Sequence, residues 1–163
     1  MTATIAFVEG DAAAATREVV FNGLRAFNRQ HAAPPERRPL VLAAHSPEGS
    51  PIAGLVGETA WGWAFIDLLW VDESHRGQGL GSRLLSAAEA EARGCIGVYL
   101  DTFDFQARPF YERLGYEVFG VLEDYPVGHR RFYLSKRFAE RTNLENTHGP
   151  NAIFAVFASL GGV

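Results

Sequence analysis

The chain holds a single cysteine, Cys95, so no disulfide can close within it and the fold does not depend on an oxidising compartment. A cytoplasmic setting is the default expectation. No stretch of about 18 apolar residues occurs, and MTATIAFVEGDAAAATREVV at the start lacks the basic segment and apolar run of a secretory signal, so neither membrane spanning nor processing is expected. There is no concentrated Lys/Arg block. With a net charge of −4, broad binding to DNA or RNA is disfavoured, because phosphate neutralisation needs a basic face. No histidine stands at metal-ligand spacing from another His or a Cys, so no metal is expected. Repeats and low-complexity tracts are also missing, which removes solenoids.

What remains is 163 residues, 47% hydrophobic and 21% charged, the profile of one ordinary globular domain. Thr4 to Val8 is a short β-type run. Arg17 to His31 carries Val20, Leu24 and Phe27 at helical spacing and runs into the loop APPERRP. Pro39 to His45 and Ile52 to Thr59 flank the turn-forming SPEGSP as a hairpin, and Trp63 to Val71 is a further strand. From Gly79 the period changes. Leu84, Leu85, Ala88 and Ala92 share a helical face, Glu89 and Arg93 stand four apart, and Gly94 suits the position after the helix. Ile96 to Thr102 reads as a strand, Gln106 to Leu114 as a short helix ended by Gly115, and Tyr116 to Val121 and Arg131 to Leu134 as strands. The order predicts an α/β (α+β) single domain with a mixed, mostly antiparallel central sheet and helices on both of its faces. The domain is expected over residues 1–138, with 139–163 as a C-terminal extension whose apolar end, AIFAVFASLGGV, would dock on the domain or on a second subunit.

Chemistry concentrates in LLWVDESHRGQGLGSRLL, Leu68 to Leu85, where an apolar strand enters a glycine-rich loop and leaves directly into a helix. The first amides of a helix have no intrahelical partner and the helix dipole adds positive charge, so glycines here let a phosphate approach closely. A P-loop and a G-x-G-x-x-G fingerprint both fail: position 82, where the last fingerprint glycine would fall, is Ser82. Nor is there a G-x-S-x-G nucleophile elbow. What is present is Arg76-x-x-Gly79-x-Gly81 behind a strand ending at Val71. This resembles the acetyl-CoA signature (Arg/Gln)-x-x-Gly-x-(Gly/Ala) of the GNAT family of N-acetyltransferases. A second block, LDTFDFQARPFYERLGYEVFG, resembles the family's second motif at Ala107, Phe110, Tyr111, Gly115 and Tyr116. Asp104 stands where the family often has Asn, and as an acceptor it could cap the following helix. The likeness is strong over roughly Trp61 to Phe138.

The resemblance implies acetyl transfer from acetyl-CoA to a primary amine by direct attack in a ternary complex. It implies that Arg76, Gly77, Gln78, Gly79, Leu80, Gly81 and Ser82 hold the pyrophosphate. It further implies that the strand ending at Val71 splays from its neighbour, freeing backbone groups of Leu69, Trp70 and Val71 for the pantetheine arm. Tyr111 would be the general acid, and Asp67 the first candidate for a base, with Glu58 second and Asp101 and His129 behind. Glu9, Asp11, Glu58, Asp67 and Asp124 could draw a cationic amine, and Trp61, Trp63, Phe103, Phe105 and Tyr125 could wall its site. The expected acceptor is a small-molecule amine such as an antibiotic or polyamine, the expected assembly a homodimer. A peptide N-acetyltransferase and a non-catalytic coenzyme-A-binding regulator are the alternatives.

Overall fold

The alternation between Pro39 and Val71 becomes three consecutive antiparallel strands, β1 (Arg38–His45), β2 (Pro51–Ala60) and β3 (Trp63–Val71), in a computed structural model that describes residues 3–139. Gly49, at φ +88°, turns the first hairpin. Trp61 and Gly62 turn the second in two residues, both at positive φ, as the twist of a tight hairpin requires. A tryptophan in that conformation is unusual. Its indole Nε1 donates to the Ala33 carbonyl at 2.8 Å, which ties the turn to the preceding loop.

After β3 come a 3-10 turn (Glu73–His75), α2 (Leu80–Glu91), β4 (Gly97–Phe103), α3 (Arg108–Arg113), β5 (Glu117–Glu123) and β6 (Arg130–Arg137); α1 (Gly10–Asn28) precedes the sheet. The six strands lie in the order β1-β2-β3-β4-β6-β5. Only β3 and β4 run parallel, and a parallel neighbour demands a crossover, which α2 supplies.

The apolar positions of α2 decide which sheet face is the core. Leu84, Leu85, Ala88 and Ala92 pack with Leu55, Ile66, Val98, Leu100, Phe132 and Leu134, and α3 adds Tyr111 and Phe110 to the same cluster. Each such leucine, fully buried, contributes about 1.5–3 kcal/mol. Across the core Glu89 reaches β6, accepting from Lys136 Nζ at 2.8 Å and from Tyr116 Oη at 3.0 Å, instead of pairing with Arg93. The end of α2 is tightened by Cys95 N donating to Ala92 O, and Gly94 does not adopt a left-handed φ.

Two N-terminal expectations are corrected. Thr4 to Val8 forms no strand: it pairs with neither open edge of the sheet, and Ile5 and Phe7 are fully exposed. The first helix starts at Gly10 rather than Arg17: Ala12 to Ala15 are strong helix formers that show no apolar period. It ends at Asn28, and His31 lies in the turn that follows. Among the described residues no helix is long and apolar enough to cross a membrane. The expected extension lies outside the described residues, apart from Ala139.

Candidate active site

The site is built by a parting of strands. The β3–β4 ladder pairs Trp63 to Ile66 with Gly97 to Leu100 and stops there; beyond it β3 stays with β2, and β4 stays with β6. The β4-facing edge of residues 67–71 is thereby left open. Just at the parting, Ile66 pairs with Gly57 and Leu68 with Val56, so Asp67 is an extra, unpaired residue, a bulge that bends β3 away. Between the separated strand ends, α2 and α3 wall a cavity of about 780 Å³ lined by Leu69, Trp70, Val71, the 75–82 turn except Gln78, and the α3 side.

The turn entering α2 is held from below. Asp72 accepts from Ser74 N at 3.0 Å, from the Ser74 hydroxyl and from His75 Nδ1 at 3.2 Å, bonds that hold its carboxyl below the usual range. Arg76 Nε donates to the Val71 carbonyl at 3.2 Å, closing the turn on the strand it leaves. Gly79, at φ +77°, is the residue before the first turn of α2, and a side chain there would be strained. At Gly81 the constraint is space, since a Cβ would meet the Phe110 ring at 3.4 Å. Among the described residues, no backbone N–H from Gly77 to Ser82 has an acceptor; the ladder begins with Arg83 N to Gly79 O. Six consecutive free amides, a helix N-terminus and an adjoining cavity are a donor set that fits a diphosphate.

Tyr111 closes the cavity from the α3 side. It is 7% exposed, and among the described residues its hydroxyl has no hydrogen-bond partner. Burial first, and the negative charge of Asp101 second, push its pKa up to about 12. Asp101 itself is held by Arg131 at 2.6 Å, and that guanidinium lies over the Phe103, Tyr125 and Tyr133 rings.

The expected site residues divide. Leu69, Trp70, Val71, Arg76, Gly77, Gly79, Leu80, Gly81, Ser82 and Tyr111 all line the one cavity. Gln78 does not; its amide turns back to the Ser74 carbonyl at 3.5 Å. Asp67 and Glu58 also lie outside the lining: Asp67 is exposed at the bulge, and Glu58 is ion-paired with Arg37. Asp104 is not a cap of α3, whose first turn has no side-chain cap. It bonds His129 Nδ1 at 3.0 Å and the Arg130 amide at 3.1 Å, fastening the β4 end to the loop before β6. Burial works against its carboxylate, but those bonds hold its pKa below the ordinary value.

Residues outside the expected set complete the wall: His75, Gln106, Ala107, Phe110, Arg113 and Leu114, with Phe105, expected instead as an acceptor wall. Ala107, Phe110, Tyr111 and Leu114 recur at three- and four-residue steps, and that helical period was their available signal. Gln106 Oε1 accepts from Thr102 Oγ1 and Phe103 N, which fixes the turn into α3. Among the described residues no three His, Cys, Asp or Glu side chains gather as a metal cluster.

Residues 11–116 match the model of the acetyltransferase (GNAT) family. A blasticidin-S acetyltransferase of Streptomyces morookaense is 50% identical over 99 residues, 57% of this chain and 73% of that protein. An acetyltransferase of Agrobacterium fabrum is 39% identical over 135 residues, 81% of this chain and 98% of that protein. The crystal structure of an acetyltransferase from Bacillus cereus superposes with a TM-score of 0.75 at 33% identity, covering 82% of this chain and 98% of that one.

Proposed function

The chain belongs to the GNAT family and is an N-acetyltransferase that uses acetyl-CoA, and we propose that its acceptor is a small-molecule amine, acetylated by direct attack with Tyr111 as general acid. The observation that carries this reading is the meeting, in one cavity, of the free 77–82 amides, the open edge of β3 and the Tyr111 hydroxyl. The likeness to a blasticidin-S acetyltransferase makes blasticidin S the first acceptor to test.

When bound, acetyl-CoA supplies a thioester carbonyl open to an amine and a thiolate leaving group. The chain supplies the rest. Amides of Gly77, Gly79, Leu80, Gly81 and Ser82 hold the diphosphate, while Arg76 keeps its turn closed through Val71. The edge of β3 from Leu69 to Val71 that β4 leaves open orients the pantetheine arm as an added strand would pair. Tyr111 Oη holds its proton at every physiological pH and offers it where the thiolate departs. Asp67 stays the first candidate to take the amine proton: it stands exposed at the bulge without an ion pair among the described residues, whereas Glu58 is engaged by Arg37. The lone Cys95 supports a cytoplasmic setting.

Calorimetric titration of acetyl-CoA, beside a G79E/G81E variant, tests the carrier site, and thiol release with blasticidin S tests the acceptor. Micromolar binding abolished by the two glutamates is the expected result. A folded wild-type protein that binds no acetyl-CoA would refute the reading; binding without thiol release would overturn the acceptor alone.

A further inference from the structure

The β3–β4 ladder ends where Ile66 pairs with Leu100, so the next residue of β4, Asp101, is the first to stand at the gap without a partner on β3. Val98, Leu100 and Thr102 are buried on the core side, and alternation turns Tyr99, Asp101 and Phe103 to the opposite face of the sheet. Asp101 thus stands where the gap joins that face to the coenzyme cavity. From there its charge acts on the Tyr111 hydroxyl, which has no partner among the described residues. The grip of Arg131 on this carboxylate is one-sided. Nε and Nη2 both meet the same oxygen, Oδ1, each at 2.6 Å. Among the described residues nothing donates to Oδ2, yet no buried side-chain oxygen is left unpaired, so Oδ2 is open. A carboxylate that served only to neutralise Arg131 would engage the guanidinium fork with both oxygens. The Phe103, Tyr125 and Tyr133 rings hold that guanidinium in place, at 5.3, 5.4 and 5.7 Å.

We propose that Asp101 Oδ2 anchors the acceptor as its ammonium ion, and that Arg131 is the residue that positions this carboxylate. The inference rests on the amine acetylation proposed above and adds the charge of the acceptor to it. A primary alkylamine titrates at about 10, so at neutral pH it arrives as a cation and needs an anion to enter a partly covered site. Asp101 supplies that anion beside Tyr111, while Asp67, next after the last pair on β3, is left to take the proton. Phe105 lines the coenzyme cavity and stacks on Phe103 at 5.0 Å, and Phe105 and Tyr125 are about half exposed. The acceptor class that fits is therefore a cationic amine carrying a flat or apolar body for those rings.

Binding, not turnover, tests the anchor. Phenethylammonium and the neutral phenethyl alcohol are titrated into the protein saturated with coenzyme A and followed by ligand-observed NMR. The ammonium is expected to bind at least about tenfold more tightly, the low end for a hydrogen bond to a charged group. Asp101→Asn should abolish that preference and leave acetyl-CoA affinity within about twofold. Because this change strands the charge of Arg131, D101N/R131Q is measured beside it and should lose the preference equally. Arg131→Gln alone separates positioning from charge balance. Loss of a cation that only balanced charge would tighten ammonium binding, whereas loss of a positioning residue loosens it, and Arg131→Lys should restore part of the affinity. Equal affinity of the two probes for the wild-type complex, or binding of neither, overturns the anchor, as does a preference that survives in D101N/R131Q. Tighter ammonium binding by Arg131→Gln overturns the role given to Arg131. Thiol release with blasticidin S keeps the two readings apart. Acetylation without the ammonium preference sinks the anchor alone, and the preference without acetylation sinks that acceptor alone.

Discussion

Tyr111 illustrates how a single side chain can be prepared by its surroundings. Burial and the nearby Asp101 carboxylate both disfavour the phenolate, so the hydroxyl keeps its proton to about pH 12. Tyr111→Phe should therefore leave acetyl-CoA affinity within about twofold and lower kcat about 100-fold, the low end for general acids because a thiolate leaves readily. The wild-type rate should show no alkaline fall from this group between pH 7 and 10. A stopped assay across that range checks both, and a basic limb that vanishes in the Phe variant would contradict the raised pKa. The two loop glycines separate two physical demands. Gly79→Ala forces a left-handed alanine and should cost about 1–2 kcal/mol of stability. Gly81→Ala adds a methyl 3.4 Å from Phe110 at an ordinary φ, and its effect should fall on coenzyme affinity instead. Melting curves and titrations of both variants would show whether the effects divide this way.

Elements are joined by contacts of very different worth. The Glu89–Lys136 pair, with Tyr116 on the same carboxylate, ties α2 to β6 with side chains that are mostly covered. Glu89→Gln should destabilise the protein by about 1.5–3 kcal/mol, the range for hydrogen bonds to a charged group. Arg37→Ala breaks an exposed pair and should change stability by no more than about 1 kcal/mol. Urea midpoints decide the contrast, and equal losses would deny it. Such partners explain what could be read in advance. The hairpin from Arg38 to Ala60 and the face of α2 follow from local periods of two and 3.6, and the loop glycines declare themselves by spacing. Lys136 lies 47 residues from Glu89 and His129 lies 25 from Asp104, so no local pattern links them. The bulge at Asp67 is likewise a matter of register with β2, which is why alternation alone could not place that carboxylate relative to Val71. Helix α1 began early because alanines carry propensity without period.

At the scale of the whole molecule, the core closes with Phe138, which packs against it just after β6. We propose that the folding unit spans residues 1–138, with 139–163 as an extension. A chain ending at Ala139 should then keep its circular dichroism and its acetyl-CoA affinity, and loss of either would move the boundary outward. The same core should make the fold sensitive to alkali. Tyr111 and Tyr116 both have folded pKa values raised above the ordinary 10.0, in each case by burial first, with Glu89 the next cause at Tyr116. Below about pH 10 both states hold these protons and stability is fully present. Above it the unfolded chain releases them while the folded chain does not, so the folded state binds more protons and stability falls as pH rises. Two such groups give a slope approaching about 2.7 kcal/mol per pH unit, twice the value for one proton. Denaturation midpoints should be flat with respect to these groups from pH 8 to 9 and decline from 10 to 11. The decline should be much shallower in Y111F/Y116F, measured against its own neutral stability. An equal slope in that variant would assign the alkaline limit to other groups and leave the two tyrosines without the role their surroundings give them.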